Sequence, residues 1–193
     1  MFLFYIQLDS MTLRGKIVKN EIFGKCLDVG CNSHFLHKEI DNKDMIGLDV
    51  VIDQFKERTI KGDAQEVPVK TNIFDCVIAG ELIEHLENPA LFVKECHRIL
   101  KRGGKFIITT PNRKSWWNRL IKSYHIKYHK FLFTKNELKD ILKKNGFRIN
   151  KFLFIPFDKY TSVYGKFFEI RRIIHYIMPE ALREDIVVVA INQ

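Results

Sequence analysis

Short, continuous apolar runs separated by stretches of helical periodicity constrain this chain more than any other feature. The runs are "KCLDV" (25–29), "MIGLDV" (45–50), "TIKGDA" (59–64), "FDCVIA" (74–79), "GKFIITT" (104–110), "FRINKFLFI" (147–155) and "DIVVVAI" (185–191). Strands apolar on both sides and separated by helices read as a mostly parallel sheet covered on both faces. The expected class is therefore α/β, a doubly wound, seven-stranded, mostly parallel sheet. The last two strands are joined by an amphipathic stretch, 162–178, and the last strand is expected to run antiparallel. Two helices are well signalled. "NPALFVKECHRIL" opens at Pro89 and stops at Gly103-Gly104, and "TKNELKDILKKNG" opens with a capping box, Thr134 and Glu137, and closes at Asn145-Gly146. Between Asp49 and "KGDA" only a short helix fits, or none.

No repeat, low-complexity tract or Pro/Gly/Ser linker divides the 193 residues, so residues 1–193 are expected to form a single domain. Hydrophobic residues at 46% and charged residues at 28% exclude a disordered chain. No apolar run approaches the roughly 18 residues of a membrane span. The opening "MFLFYIQLDS" lacks the basic start and small-residue cleavage site of a signal peptide and is expected to pack on the domain as strand or helix, or to be a ragged start before Met11. Cys26, Cys31, Cys76 and Cys96 show no metal-type spacing, which suits buried thiols in a reducing cytoplasm. The net charge of +9 is unevenly placed, −4 over residues 1–100 and +13 over 101–193, so an anionic partner would meet the second half.

Ligands of a doubly wound sheet sit at the carboxyl ends of its strands. Asp28 lies in the first strand with Gly30 in its turn, Asp49 closes the second, Asp63 closes the third and precedes Ala64, and Glu81 follows the fourth. An acid at the end of the second strand can accept both hydroxyls of a ribose. From Gly30 the chain reads Gly-Cys-Asn-Ser-His-Phe, which keeps one glycine of the three that cradle a pyrophosphate and disfavours a nicotinamide oxidoreductase. S-adenosylmethionine, an adenosine with a sulfonium and an amino-acid tail, needs no such cradle, and acids near its positive charges are sensible electrostatics.

With these motifs in order, the chain resembles the class I S-adenosylmethionine-dependent methyltransferases, of the type 11/12 kind with a Rossmann-like fold. The resemblance covers residues 14–155 and the last strand. It rests on "CLDVGC", "IGLDV", "KGDAQEVP", "FDCVIAGELIEHLENP", "RILKRGGKFIITTPN" and "LFTKNELKDILKKNGF". It implies S-adenosylmethionine as methyl donor, S-adenosylhomocysteine as product, and a methyl acceptor offering an O, N or C nucleophile on a small or lipid-linked molecule. By position, Gly30 lets the backbone approach the donor, Asp28 anchors the loop or the methionine end, and Asp49 takes the ribose. Asp63 with the Ala64 amide takes the adenine, and the backbone around Ala79 to Glu81 faces the methionine tail. The family usually has further glycines where Asn32 and His34 stand. Asn32 tolerates the left-handed backbone well enough to replace one, and a non-catalytic donor-binding relative is the alternative that this loop raises.

"ELIEHL" carries Glu81, Glu84 and His85, and "YHKFLFT" carries His129. The ExxEH pattern resembles a metal site in some small-RNA 2′-O-methyltransferases and quinone O-methyltransferases, and two carboxylates with two imidazoles suit a divalent cation. The same "EH" is widespread in relatives without a metal, so no metal ligand is assigned and a metal-assisted RNA methyltransferase stands as an alternative. No catalytic base is assigned; His85 and His129 are candidates by type. Residues 113–136 hold seven Lys/Arg, six aromatics and no acid. They are expected to lie over the carboxyl ends of strands four and five, first as a lid and second as a surface for a membrane or lipid-linked acceptor, which would make the protein peripheral to a membrane. Nucleic acid ranks third. Pro111 is expected to leave the sheet, and Trp116 or Trp117 to face the acceptor pocket or a membrane.

Overall fold

The computed structural model describes residues 13–31, 44–52, 58–116, 119, 129–156 and 173–193. Seven strands form one sheet: β1 (Cys26–Val29), β2 (Met45–Asp49), β3 (Thr59–Lys61), β4 (Phe74–Gly80), β5 (Leu100–Pro111), β6 (Phe147–Ile155) and β7 (Asp185–Asn192), in the order β3-β2-β1-β4-β5-β7-β6. The first five run parallel, and β7 lies antiparallel to both β5 and β6. The doubly wound, mostly parallel sheet with its last strand antiparallel is thus the fold found. Chain order reverses between β1 and β4, so the carboxyl ends of those strands form the crevice in which such sheets bind ligands.

Alternation along each strand sorts the core into two layers. Cys26, Cys76, Ile78, Ile107 and Val189 pack with Val18 of helix α1 (Leu13–Glu21) on one face. Leu27, Val77, Ala79, Phe106 and Val188 pack on the other with Phe92, Val93 and Cys96 of helix α2 (Pro89–Ile99) and Leu138 and Leu142 of helix α3 (Lys135–Lys144). α2 starts where Asn88 caps the Leu91 N–H with Pro89 at its first position. α3 starts on the expected capping box, Thr134 with Glu137. All four cysteines are buried and unbridged.

Two boundaries differ from expectation. α2 ends at Ile99 rather than at Gly103-Gly104, because Leu100 turns extended and pairs with Phe74, so that β5 begins four residues early and bulges before it pairs again at Lys105. Pro111 stays in the sheet as the last residue of β5, opposite Asp185. Pairing with β4 ends at Thr109, so a proline here has a strand on one side only and its missing N–H is tolerated. Residues 1–12, residues 53–57 between Asp49 and "KGDA", and most of 162–178 lie outside the described residues, and the expectations for them with it.

Candidate active site

The turn after β1 is built on Gly30, at φ +75°. Its N–H and that of Cys31 donate to the Leu48 carbonyl at 2.8 and 3.2 Å, which folds the loop over the end of β2. A Cβ on Gly30 would stand 2.9 Å from Leu82 Cδ1, so the position demands glycine for both backbone and space. Asn32 and His34 lie outside the described residues.

Asp28 is buried to 2% exposure one position before the end of β1. Burial, and secondarily the nearby Asp49 carboxylate, push its carboxyl up from 3.8 to about 7. Asp49 ends β2, and its Oδ1 accepts from the Val51 N–H at 3.0 Å. Val50 and Val51 beyond it are exposed, an apolar shelf beside the acid. Asp63 is exposed and caps its own turn, Oδ1 accepting from the Gln65 N–H at 2.8 Å, while Ala64 is buried. A buried acid pushed up by a second acid marks a place short of positive charge. A sulfonium donor with an ammonium tail fits such a place.

Glu81 takes a left-handed backbone, φ 53°, after β4. Its N–H donates to the Thr109 carbonyl at 2.9 Å, and its Oε1 accepts from Thr109 Oγ1 at 3.1 Å and pairs with Arg14 at 3.3 Å. The next residues form a single 3-10 turn, Ile83–His85. Glu84 is fully buried; Oε2 accepts from Thr110 Oγ1 at 2.9 Å, and Oε1 has no hydrogen-bond partner among the described residues. Burial first, then Glu81, push its carboxyl well above the usual range. The Glu84 carbonyl accepts from the N–H groups of Lys130 and Phe131 at 2.9 and 3.0 Å, which draws His129 in beside His85 with ring centroids 4.8 Å apart. One ligand atom from each of Glu84, His85 and His129 lies within 4.8 Å of the others. Three of the four residues singled out by type therefore converge, and Glu81 is held apart by Thr109 and Arg14.

The described parts of 113–136 do sit over the carboxyl ends of β4 and β5. Asn112 bridges Phe133, Arg113 N–H donates to the Phe133 carbonyl at 2.9 Å, and Lys130 and Phe131 bond Glu84. Trp116 is half-buried, Lys114 and Lys130 are exposed, and Trp117 is outside the described side chains. Sequence reasoning missed Arg14. It lies on α1, mostly buried, with its guanidinium 3.0 Å from Asp185 Oδ2 as well as beside Glu81. No local pattern announces it, because Asp185 is 171 residues away.

The sequence matches a family described as methyltransferase domain over residues 11–151. An uncharacterized protein of Methanocaldococcus jannaschii is 30% identical over 154 residues, covering 72% of this chain and 74% of that protein. The mitochondrial ubiquinone biosynthesis O-methyltransferase of Rattus norvegicus is 26% identical over 175 residues, covering 70% of this chain; the chain spans 48% of that enzyme's length. Among solved structures, a SAM-dependent methyltransferase from Archaeoglobus fulgidus superposes with a TM-score of 0.65 at 23% identity, covering 92% of this chain and 94% of that one. Together with the acid-lined crevice, the match over most of the chain places it in its family: the chain belongs to the class I S-adenosylmethionine-dependent methyltransferases.

Proposed function

We propose that the methyl acceptor is a hydroxyl group of a small or lipid-linked molecule, so that the protein acts as an O-methyltransferase. The observation that carries this is the pairing of His85 with His129 beside the crevice at the carboxyl end of β4. A hydroxyl holds its proton at neutral pH and needs a base; many N and C nucleophiles do not. The donor supplies a methyl already activated on a sulfonium. One imidazole takes the hydroxyl proton as the oxygen forms its bond to the methyl and the carbon–sulfur electron pair returns to sulfur. Asp28 and Asp49 hold the donor end, and the segment around Phe133 covers the crevice, so that positioning contributes most of the acceleration. The ubiquinone O-methyltransferase relatives support a hydroxyl acceptor, and the half-buried Trp116 with exposed Lys114, Lys130 and Phe131 supports a lipid-linked one at a membrane surface.

The orphaned Oε1 of Glu84 favours a second reading of the same cluster. Glu84, His85 and His129 would hold a divalent cation, whose chemistry would be to lower the pKa of the acceptor hydroxyl. Turnover of labelled S-adenosylmethionine against catechols and other small phenols tests both. Loss of at least tenfold in kcat in the His129→Ala and His85→Ala variants, insensitive to chelator, supports the base. Loss on chelation, restored by zinc or magnesium, supports the cation. Methylation of amines with full activity in both variants would refute the hydroxyl reading.

A further inference from the structure

α1 runs along the second half of β5. Near its end, Glu21 accepts from Lys105 at 2.9 Å, midway along β5 and level with Cys76 of β4. At its start, Arg14 reaches Asp185, which sits opposite Pro111 at the far end of β5. The helix therefore delivers one cation to the ligand face of the sheet. Burial alone would weaken the positive charge of Arg14, but Glu81, Asp185 and Glu84 surround it and raise its pKa.

Glu81 independently bears the marks of a positioned group. A left-handed backbone is costly for a residue with a side chain and persists only where the surroundings enforce it. Thr109 enforces it three times over, through its carbonyl and hydroxyl to the Glu81 N–H and through its hydroxyl to Oε1. Arg14 also falls on Oε1. Among the described residues no hydrogen bond falls on Oε2, and the side chain keeps 27% exposure at the crevice. One oxygen is thus locked and the other is presented.

We propose that Arg14 is a positioning residue for methyl transfer: by pinning Oε1 of Glu81 against Thr109 it presents Oε2 to the ammonium of the donor's amino-acid tail. The proposal rests on the donor assignment above. Arg14 touches neither donor nor acceptor in this scheme and acts only through Glu81.

Calorimetric titration with three ligands separates this from a scaffold role. The ligands are S-adenosylhomocysteine, its deaminated analogue and its decarboxylated analogue. Arg14→Met is expected to weaken S-adenosylhomocysteine and the decarboxylated analogue by roughly ten- to a hundredfold, the range for losing a charge-assisted hydrogen bond. Binding of the deaminated analogue should not change, and Arg14→Lys should recover part of the loss. Glu81→Gln, which keeps Arg14 and its bond to Asp185, should give the same pattern and serves if Arg14→Met folds poorly. Equal loss for all three ligands would reduce Arg14 to a scaffold residue and overturn the proposal. So would a loss confined to the ligands that carry a carboxylate, since Arg14 would then bind the donor itself, or no loss at all. Failure of the unsubstituted protein to bind S-adenosylhomocysteine would strike the donor assignment instead, and shows before any substitution is made.

Discussion

Asp28 carries a cost that can be measured without any ligand. Its carboxyl is pushed from 3.8 to about 7 by burial and by Asp49. An acid with a higher pKa in the folded chain keeps a proton that the unfolded chain has released, so stability falls as pH rises between the two values. Below about 3.8 both states are protonated and the cost vanishes; above about 7 both are ionised and it is complete. At about 1.4 kcal/mol per pH unit of separation, the full cost is about 4 kcal/mol. Asp28→Asn removes the titration and keeps the shape. Any cost of repacking the amide is independent of pH, so it cancels when two pH values are compared. Relative to the unsubstituted protein, the variant should gain about 3 kcal/mol of stability between pH 5 and pH 8, measured by urea unfolding of the donor-free protein under circular dichroism. Parallel stability curves across that range would refute the assignment of a buried, charge-crowded carboxyl. The same site should pull the other way when loaded: S-adenosylhomocysteine, with its ammonium, should bind the unsubstituted protein more tightly as pH rises through 7 and bind the variant without that dependence.

Two further outcomes follow from the crevice. Asp49→Ala should weaken S-adenosylhomocysteine by about 1–3 kcal/mol, because two ribose hydroxyls lose a charged acceptor; unchanged binding, or tight binding of NAD, would remove Asp49 from the site. Gly30→Ala should lower the unfolding free energy by at least about 1–2 kcal/mol from backbone strain alone, with the contact to Leu82 added, and should weaken S-adenosylhomocysteine binding measured by calorimetry.

The central strands were legible because burial on both faces leaves little room for polar residues within them; the edge strand β6 keeps Arg148, Asn150 and Lys151 exposed and was legible from its aromatic and aliphatic residues. "FRINKFLFI" became β6 residue for residue, and the first motif became β1 with its glycine turn. α1 was not legible. Its buried positions are Gly15, Val18 and Glu21, and a glycine and an acid do not read as an apolar stripe. Glu21 is tolerated inside because Lys105 and Lys151 meet it from β5 and β6, partners that only the fold supplies. The site divides along the same line. Asp28, Gly30, Asp49 and Glu81 stand at strand ends, where position along the strand predicts them. The meeting of His85 with His129 depends on two backbone bonds to the Glu84 carbonyl, and the pairing of Arg14 with Asp185 closes across almost the whole chain. Residue types announce neither.

Net charge misleads about the crevice for a related reason. The sheet sorts charges by strand end. Its amino edge carries Lys101 on Asp75, which also accepts from the Lys25 backbone N–H, and Lys105 and Lys151 on Glu21. The opposite edge of the sheet gathers Glu81, Glu84 and Asp185 around Arg14, with Asp28 beside Asp49 at the ends of β1 and β2. A chain of net charge +9 therefore presents an acidic floor to whatever binds there. That floor suits a cationic donor. It opposes an acceptor whose reacting end is already an anion; Glu84 itself is driven toward its neutral form, by burial first and by Glu81 second. On the proposed reading, the acceptor arrives neutral and loses its proton only at the reacting oxygen, beside His85 and His129. On that reading, an anionic headgroup or phosphate would be met outside the crevice, by the exposed Arg113, Lys114 and Lys130.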